Sequence, residues 1–281
     1  MRWDWRSGAR FLGKHWPSTI LASILIIATM TPHALERFFV YYPMREVTDT
    51  PSSIGLNYED LALVTEDRVR LHGWFVPCEN ARVTLLIFHG NAGNIGHRVP
   101  WIELLNQAGA HVAIIDYRGY GRSGGKPHEQ GLYRDARAAF RWWSEQRGGK
   151  GEKLVLVGES LGGAVAVDLA ARAPVTGLIL QSTFTTAWDM AKTLMPIGLL
   201  QPVAGVHFDS AGKIAAIRCP KLFIHGEQDE VVPFRLGKKL YELAPPPKDF
   251  YSIPGAMHND LPWVAGPEYT TRIREFLKSL W

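Results

Sequence analysis

The segment KLVLVGESLGGAVAVDLAARA, residues 153–173, decides the fold of this chain. A short, continuously apolar run leads into the pentapeptide GESLG, and small and apolar residues then continue as a helix. The pattern Gly-x-Ser-x-Gly between a strand and a helix forces a sharp reversal with the serine at its apex, in strained backbone. The residues two before and two after Ser160 come too close to neighbouring atoms of the turn to carry a Cβ, so glycine is required at positions 158 and 162. We expect these glycines to clear space around an exposed hydroxyl.

A serine hydroxyl is a weak nucleophile and needs a base, which in turn needs an orienting acid. When the serine lies at a turn between a strand and a helix, the three catalytic residues are expected in the chain order serine, acid, histidine. His258, in the loop sequence GAMHND, meets this order and is the predicted base for Ser160. His225 precedes the nearby acids and is expected to pack at a strand end.

Three carboxylates in the segment GEQDEVVP are candidates for the acid: Glu227, Asp229 and Glu230. Spacing alone does not choose among them. Asp229 lies where this loop crosses the edge of the sheet, and we expect the other two to be solvated.

The segment FHGNAGN follows another apolar run and is expected to supply an oxyanion hole. Its first glycine lets the backbone approach a substrate, and the backbone N–H groups of Asn91 and Leu161 are the predicted donors. His89 is a weak candidate base because it precedes the serine.

The remaining body alternates short apolar runs with segments of helical periodicity. The runs LALVT and RLHGWFV read as a hairpin, and VTLLIF, HVAII, KLVLVG, GLILQ, KLFIHG and DFYSI read as further strands. Alternation of this kind predicts an α/β fold, a mostly parallel sheet with helices on both faces. The motifs all follow strand ends, so they should meet at the carboxyl edge of the sheet.

These motifs, in this order, resemble the α/β-hydrolase superfamily over most of the chain, from Tyr42 onward. They look most similar to its small membrane-anchored serine hydrolases, a branch that includes acyl-protein thioesterase-like enzymes. The resemblance implies nucleophile, acid and base at Ser160, Asp229 and His258, and so settles the acid. It also implies an eight-stranded sheet with one antiparallel strand near the start.

The interval that carries a helical cap in many relatives, residues 182–220, is short here. A short cap leaves the site open, which suits a large or membrane-bound substrate. Its apolar stretch LMPIGLLQPVAGV either lines an acyl pocket or packs as a helix and loop, and the sequence does not decide between these.

The first residues of the chain are basic and the next are apolar. Four basic residues against one acid among the first fourteen account for most of the net charge of +4. The following segment, WPSTILASILIIATMTPHAL, has no charged residue over twenty positions, roughly 30 Å of helix and enough to span a bilayer. We interpret residues 1–36 as a basic tail and membrane anchor, 37–57 as a linker and 58–281 as the hydrolase domain. A cleaved signal peptide and a buried helix are the alternatives.

The basic start favours a cytoplasmic N-terminus, which puts the catalytic domain on the non-cytoplasmic side of the membrane. Aromatic residues of the kind found at membrane–water boundaries follow the apolar segment: Phe38, Phe39, Tyr41 and Tyr42. The alternative is that they pack onto the sheet. The rest of the chain is near neutral, which argues against a nucleic-acid partner.

The sequence therefore predicts a serine hydrolase that cleaves carboxylic esters or thioesters, with a small molecule, acylated protein or lipid as substrate. A peptidase or amidase on the same triad is one alternative, and an inactive binding protein of this fold is another. No cofactor or metal is expected. Neither Cys78 nor Cys219 has histidines near it in the sequence at the spacing typical of metal ligands.

Overall fold

A computed structural model of the chain describes residues 40–194 and 205–281. The strands in these residues are β1 (Tyr42–Pro43), β2 (Glu59–Val64), β3 (Arg70–Val76), β4 (Val83–Phe88), β5 (Ala92–Gly93), β6 (His111–Ile115), β7 (Lys153–Glu159), β8 (Gly177–Gln181), β9 (Lys221–Gly226) and β10 (Lys248–Ile253). The α-helices in the same ranges are α1 (Val99–Gln107), α2 (Glu129–Gln146), α3 (Leu161–Ala170), α4 (Ala187–Leu194), α5 (Ser210–Ile214), α6 (Phe234–Leu243), α7 (Leu261–Ala265) and α8 (Pro267–Lys278).

Eight of the strands form one sheet in the order β10-β9-β8-β7-β4-β6-β3-β2. β3 runs antiparallel to both of its neighbours, and the pairs from β6 through to β10 are parallel. The predicted α/β architecture, with eight strands and one antiparallel strand near the start, is confirmed. The two-residue strands β1 and β5 pair separately from this sheet.

Burial along the strands follows their place in the sheet. Every residue of β4, β6, β8 and β9 is buried, as expected for parallel strands covered on both faces. The edge strand β2 instead alternates between exposed and buried positions in its second half. Helices α2, α3 and α6 cover one face of the sheet, while α1 and α8 cover the other.

Strand register brings the carboxyl ends of the central strands into a row. Phe88 pairs with Gly158, Glu159 with Gln181, and Gly226 with Ile253. The loops after β4, β7, β9 and β10, which carry the predicted site residues, therefore all leave the same edge of the sheet.

The part of the predicted linker that the structure describes, residues 40–57, packs against the body of the protein. Tyr41 is buried with its ring edge-on to Phe208, whereas Tyr42 is about half exposed. The Asn94 side chain donates hydrogen bonds to the carbonyls of Met44 and Glu46. This segment is thus held along the edge of the sheet that carries the site.

Two predictions concern segments that lie wholly or mostly outside the described residues. The apolar segment Trp16–Leu35 is one of them, and across 40–194 and 205–281 no helix has the length and hydropathy needed to cross a bilayer. The stretch considered as an acyl pocket is the other, because residues 195–204 make up most of it.

Candidate active site

Ser160 lies at the turn between β7 and α3 with φ +52° and ψ −115°. Positive φ at a residue with a Cβ is strained by about 1–3 kcal/mol, so neighbouring contacts must hold it. The Ser160 N–H donates to the Gln181 carbonyl at 2.9 Å, and the Thr183 hydroxyl donates to the Ser160 carbonyl at 2.9 Å. Strand β8 and the loop after it therefore fix the turn in the strained conformation that the sequence predicts.

The glycines of the turn are needed for close backbone packing. A Cβ at Gly158 would lie 2.5 Å from the Gly163 Cα, and one at Gly162 would collide with the Phe88 carbonyl oxygen. The expectation that Cβ atoms do not fit here is correct. These clashes are with the start of α3 and the end of β4, so the glycines let the helix approach the sheet rather than clear space around Ser160. Ser160 is itself buried and not the exposed residue that the sequence predicts.

The structure brings Asp229 and His258 together at this edge. The His258 Nδ1 lies 2.8 Å from Asp229 Oδ2, and both residues are buried. Asp229 Oδ1 also accepts backbone hydrogen bonds from Val231 at 3.0 Å and Val232 at 2.7 Å. Burial alone would raise the pKa of Asp229, but hydrogen bonds from His225, His258 and the backbone hold it well below its usual value. The ionised carboxylate thus orients the imidazole through Nδ1.

The other two candidate acids have different surroundings. Glu227 is exposed, as expected. Glu230 is not simply solvated, because its Oε2 accepts a hydrogen bond from the His258 backbone N–H at 3.0 Å. The two neighbouring carboxylates therefore hold His258 in different ways, Asp229 by its ring and Glu230 by its backbone.

His225 packs at the end of β9, as predicted, and it also contacts the acid. Its Nε2 lies 3.2 Å from Asp229 Oδ2 and 2.9 Å from the Val232 carbonyl. This contact is not among those predicted from the sequence, although the spacing of four residues between His225 and Asp229 is visible in the motif HGEQD. Both imidazoles therefore contact Asp229 Oδ2, while Oδ1 accepts the backbone hydrogen bonds from Val231 and Val232.

Ser160 and His258 have not closed a hydrogen bond in the described residues. Such contacts are often long in proteins without a bound substrate and tighten in the reacting complex. The hydroxyl lies on the turn after β7 and the imidazole on the loop after β10, at the same edge of the sheet.

The loop between β4 and β5 fixes the direction of one predicted oxyanion donor. The Gly90 carbonyl contacts His89 Nδ1 at 2.8 Å, and because a carbonyl only accepts, this nitrogen carries the proton. In a trans peptide the C=O and N–H point in opposite directions. The Asn91 N–H therefore points away from the buried His89 ring.

Both predicted donors are free to receive an anion. Among the described residues the Asn91 N–H donates to no acceptor, while the Asn91 carbonyl accepts from the Tyr120 hydroxyl at 2.7 Å and from the Tyr42 N–H at 3.0 Å. Leu161 is the first residue of α3, and the first N–H groups of a helix have no partner within it.

Below this loop His89 forms a buried pair with Asp116, a residue not predicted from the sequence to belong to the site. His89 Nε2 is 3.8 Å from Asp116 Oδ1, and both side chains are fully buried. Burial lowers the pKa of His89 to about 3, so its ring is neutral. Burial also raises the pKa of Asp116 to about 7, although a hydrogen bond of 3.0 Å from the Ile95 N–H acts to lower this pKa. His89 is accordingly part of the support of the loop and is not placed to act as a base.

Comparisons with known proteins agree with this architecture. The model of a family described as serine aminopeptidase, S33, matches residues 79–211. The α/β hydrolase domain-containing protein WAV2 of Arabidopsis thaliana is 37% identical over 261 residues, covering 84% of each chain. An uncharacterized membrane protein of Saccharomyces cerevisiae is 35% identical over 285 residues, covering 97% of each chain.

Solved structures show the same fold. An esterase of Pyrococcus furiosus superposes with a TM-score of 0.71 at 24% identity, covering 85% of this chain and 98% of that one. Together with the extended similarity to WAV2, these matches show that the chain belongs to the α/β-hydrolase superfamily.

Proposed function

We propose that this hydrolase cleaves carboxylic esters or thioesters through an acyl-enzyme formed on Ser160, with His258 as base and Asp229 as the orienting acid. The observation that carries the proposal is the buried contact of 2.8 Å between His258 Nδ1 and Asp229 Oδ2 at the edge where the strained Ser160 turn also lies. Such a pair leaves Nε2 as the proton acceptor for a serine hydroxyl.

In the first half of the proposed reaction, Ser160 Oγ attacks the substrate carbonyl carbon while its proton passes to His258 Nε2. The carbonyl oxygen becomes an oxyanion, which accepts hydrogen bonds from the Asn91 and Leu161 N–H groups. Collapse of this intermediate breaks the bond to the alkoxide or thiolate, which takes the proton from His258. Water then repeats the attack on the acyl-enzyme, releasing the acid and free Ser160, and no step uses a metal or cofactor.

A peptidase or amidase activity on the same residues is the second candidate. It is favoured by one observation, the match of residues 79–211 to a family described as serine aminopeptidase. The two candidates differ in the leaving group, because an amine must be protonated by His258 as it leaves whereas an alkoxide or thiolate leaves more readily.

A substrate panel decides between these activities. We expect the purified protein to hydrolyse p-nitrophenyl esters of graded acyl length and acyl thioesters faster than aminoacyl p-nitroanilides, and Ser160→Ala to abolish this while remaining folded. Faster cleavage of the anilides would favour the peptidase. Unchanged turnover in folded Ser160→Ala would contradict the mechanism.

We further propose that residues 16–35 anchor the protein in a membrane with the hydrolase domain on the non-cytoplasmic side. The similarity to a yeast protein described as a membrane protein supports this. So do Tyr42 and Met44, which are each about half exposed beside the loop that carries Asn91. The site would then lie near acylated proteins or lipids.

Fractionation tests the anchor. The full chain should sediment with membranes and need detergent for release, whereas a chain lacking residues 1–36 should stay in the supernatant with ester hydrolysis intact. N-terminal sequencing of the mature protein separates the alternatives, because a start near residue 35 would indicate a cleaved signal peptide. Recovery of the full chain in the supernatant without detergent would contradict the anchor.

A further inference from the structure

The residue before the nucleophile, Glu159, does not face solvent. Its side chain is 17% exposed and reaches from the end of β7 to the loop after β4. There its Oε2 accepts hydrogen bonds from the Gly90 N–H at 3.0 Å and from Arg98 Nε at 3.1 Å. The carboxylate next to Ser160 thus holds the loop that carries Asn91.

Arg98 extends this contact to the other side of the same loop. Its Nη1 donates to the Ala92 carbonyl at 2.8 Å while its Nε and Nη2 face Glu159. Gly90 and Ala92 flank Asn91 in the chain, so the ion pair forms hydrogen bonds with the residues on both sides of Asn91. A Cβ at Gly90 would lie 3.3 Å from Arg98 Nη2, which explains why a glycine suits this position.

The charge of Glu159 is maintained in this position. Burial alone would raise the pKa of its carboxyl, but the Arg98 guanidinium and the Gly90 N–H hold the pKa below its usual value. Charge-assisted hydrogen bonds of this kind are shorter and stronger than neutral ones and keep both partners in one geometry.

We infer that the Glu159–Arg98 pair is a positioning device that fixes the Asn91 N–H relative to Ser160 Oγ. Glu159 is bonded directly to Ser160, and its carboxylate accepts from the N–H of Gly90, the residue before Asn91, so only Gly90 and Glu159 separate the predicted oxyanion donor from the nucleophile. Neither side chain touches the reacting atoms. The inference rests on the proposed hydrolase function and adds residues to it that the triad and the two predicted donors do not include.

The opposite end of β7 supplies a matched control. Glu152 precedes the strand and pairs with Arg147, with 2.7 Å between Arg147 Nη2 and Glu152 Oε1, and its side chain is 12% exposed. The control pair has the same chemistry and similar burial and lies at the other end of the same strand, at the edge of the sheet away from Ser160.

The experiment compares Glu159→Ala, Glu159→Gln and Arg98→Met with Glu152→Gln in steady-state hydrolysis of a p-nitrophenyl ester. Small misplacements of catalytic groups cost up to about 100-fold in rate. We expect kcat to fall by about that factor in Glu159→Ala with KM little changed. Glu159→Gln should retain more activity, because its amide oxygen still accepts from the Gly90 N–H, and Glu152→Gln should match the wild type.

A second readout separates positioning from general damage. A trifluoromethyl ketone forms an oxyanion adduct with the serine, so its affinity should fall in parallel with kcat. Thermal unfolding identifies a variant that has merely lost stability, and the near-isosteric Glu159→Gln provides the test if Glu159→Ala does not fold.

If folded Glu159 variants keep the kcat and the ketone affinity of the wild type, the positioning role is overturned while the proposed hydrolase function stands. The same is true if Glu152→Gln loses as much activity as Glu159→Gln. A wild-type protein that hydrolyses none of the esters overturns the proposed function and this inference with it.

Discussion

A glutamate–arginine pair lies at each end of strand β7, and the two pairs have different surroundings. At the amino end, Glu152 contacts Arg147, which follows α2, and accepts a hydrogen bond of 2.9 Å from the Thr84 hydroxyl on β4. Thr84 belongs to a strand and Arg147 directly follows a helix, so both partners of Glu152 are held by regular secondary structure. The pair there joins a helix end to the sheet.

At the carboxyl end the same kind of pair holds loop backbone next to strained and incompletely paired groups. Ser160 has a positive φ, and His89 Nε2 and Asp116 Oδ2 are two of the seven buried side-chain atoms without a hydrogen-bond partner among the described residues. Strain and unpaired polar atoms of this kind concentrate at functional sites. We infer from this comparison that the place of a charge pair in the sheet, and not the type of interaction, determines whether the pair supports stability or chemistry.

The largest expected effect is at the carboxyl end, in Asp229→Asn. The asparagine keeps the shape but loses the charge that favours the imidazolium and selects its tautomer. We expect kcat to fall on the order of 10⁴-fold while the protein remains folded. Ester hydrolysis by the purified variant measures this directly.

Glu230→Gln is the control for that prediction, because it changes a carboxylate in the same loop. Its amide oxygen can still accept from the His258 N–H, so kcat should change by a few-fold at most. If Glu230→Gln is instead the crippling variant, the acid has been assigned to the wrong residue.

The next effect concerns the buried carboxyl of Asp116. Its folded pKa of about 7 lies above the ordinary value of 3.8, so the folded state holds a proton that the unfolded state has lost. The contribution of this group to stability is therefore complete below about pH 4, falls as pH rises, and is lost above pH 7.

Asp116→Asn removes this dependence. One pKa unit corresponds to about 1.4 kcal/mol, so the free energy of unfolding of the variant relative to wild type should rise by about 4 kcal/mol between pH 4 and pH 8. Denaturant titrations at several pH values check the slope. If the free energy of unfolding changes with pH in the same way in both proteins, the raised pKa of Asp116 is contradicted.

At the amino end, Glu152→Ala should affect stability alone. It leaves the Thr84 hydroxyl and the Arg147 guanidinium without their partner, which predicts a loss of about 2 kcal/mol in the free energy of unfolding. The kcat should equal that of the wild type, and a clear fall in kcat would erase the contrast between the two ends of the strand.

The smallest expected effect is a gain of stability at the nucleophile. Ser160→Gly removes the Cβ from a residue at φ +52°, and relief of the strain outweighs the added freedom of the unfolded chain by about 1 kcal/mol. Activity should disappear. Chemical denaturation measures the change, and a less stable variant would show that the turn is not strained.

Much of the fold follows from patterns that are local in the sequence. An apolar run such as VTLLIF needs cover on both faces, and alternation of such runs with helical segments specifies a parallel sheet. The pairing of β1 with β5 is different, because it depends on a few backbone hydrogen bonds between segments about fifty residues apart and leaves no side-chain pattern.

The candidate site divides in the same way. The turn at Ser160 was predicted because its glycines encode a local backbone geometry. The contacts of Glu159 with Arg98 and of Glu230 with His258 join segments distant in the chain, so no spacing rule reveals them. The His225–Asp229 contact is local, but chain order excludes His225 only as a base and says nothing of whether its ring contacts the acid.

The most direct test of the central claim is to map the site of covalent reaction. The protein is treated with a fluorophosphonate, digested, and examined by mass spectrometry, with Ser160→Ala and His258→Ala in parallel. The account predicts one adduct, on Ser160, absent in Ser160→Ala and formed far more slowly in His258→Ala. An adduct on another residue, or undiminished labelling of Ser160→Ala, would contradict it.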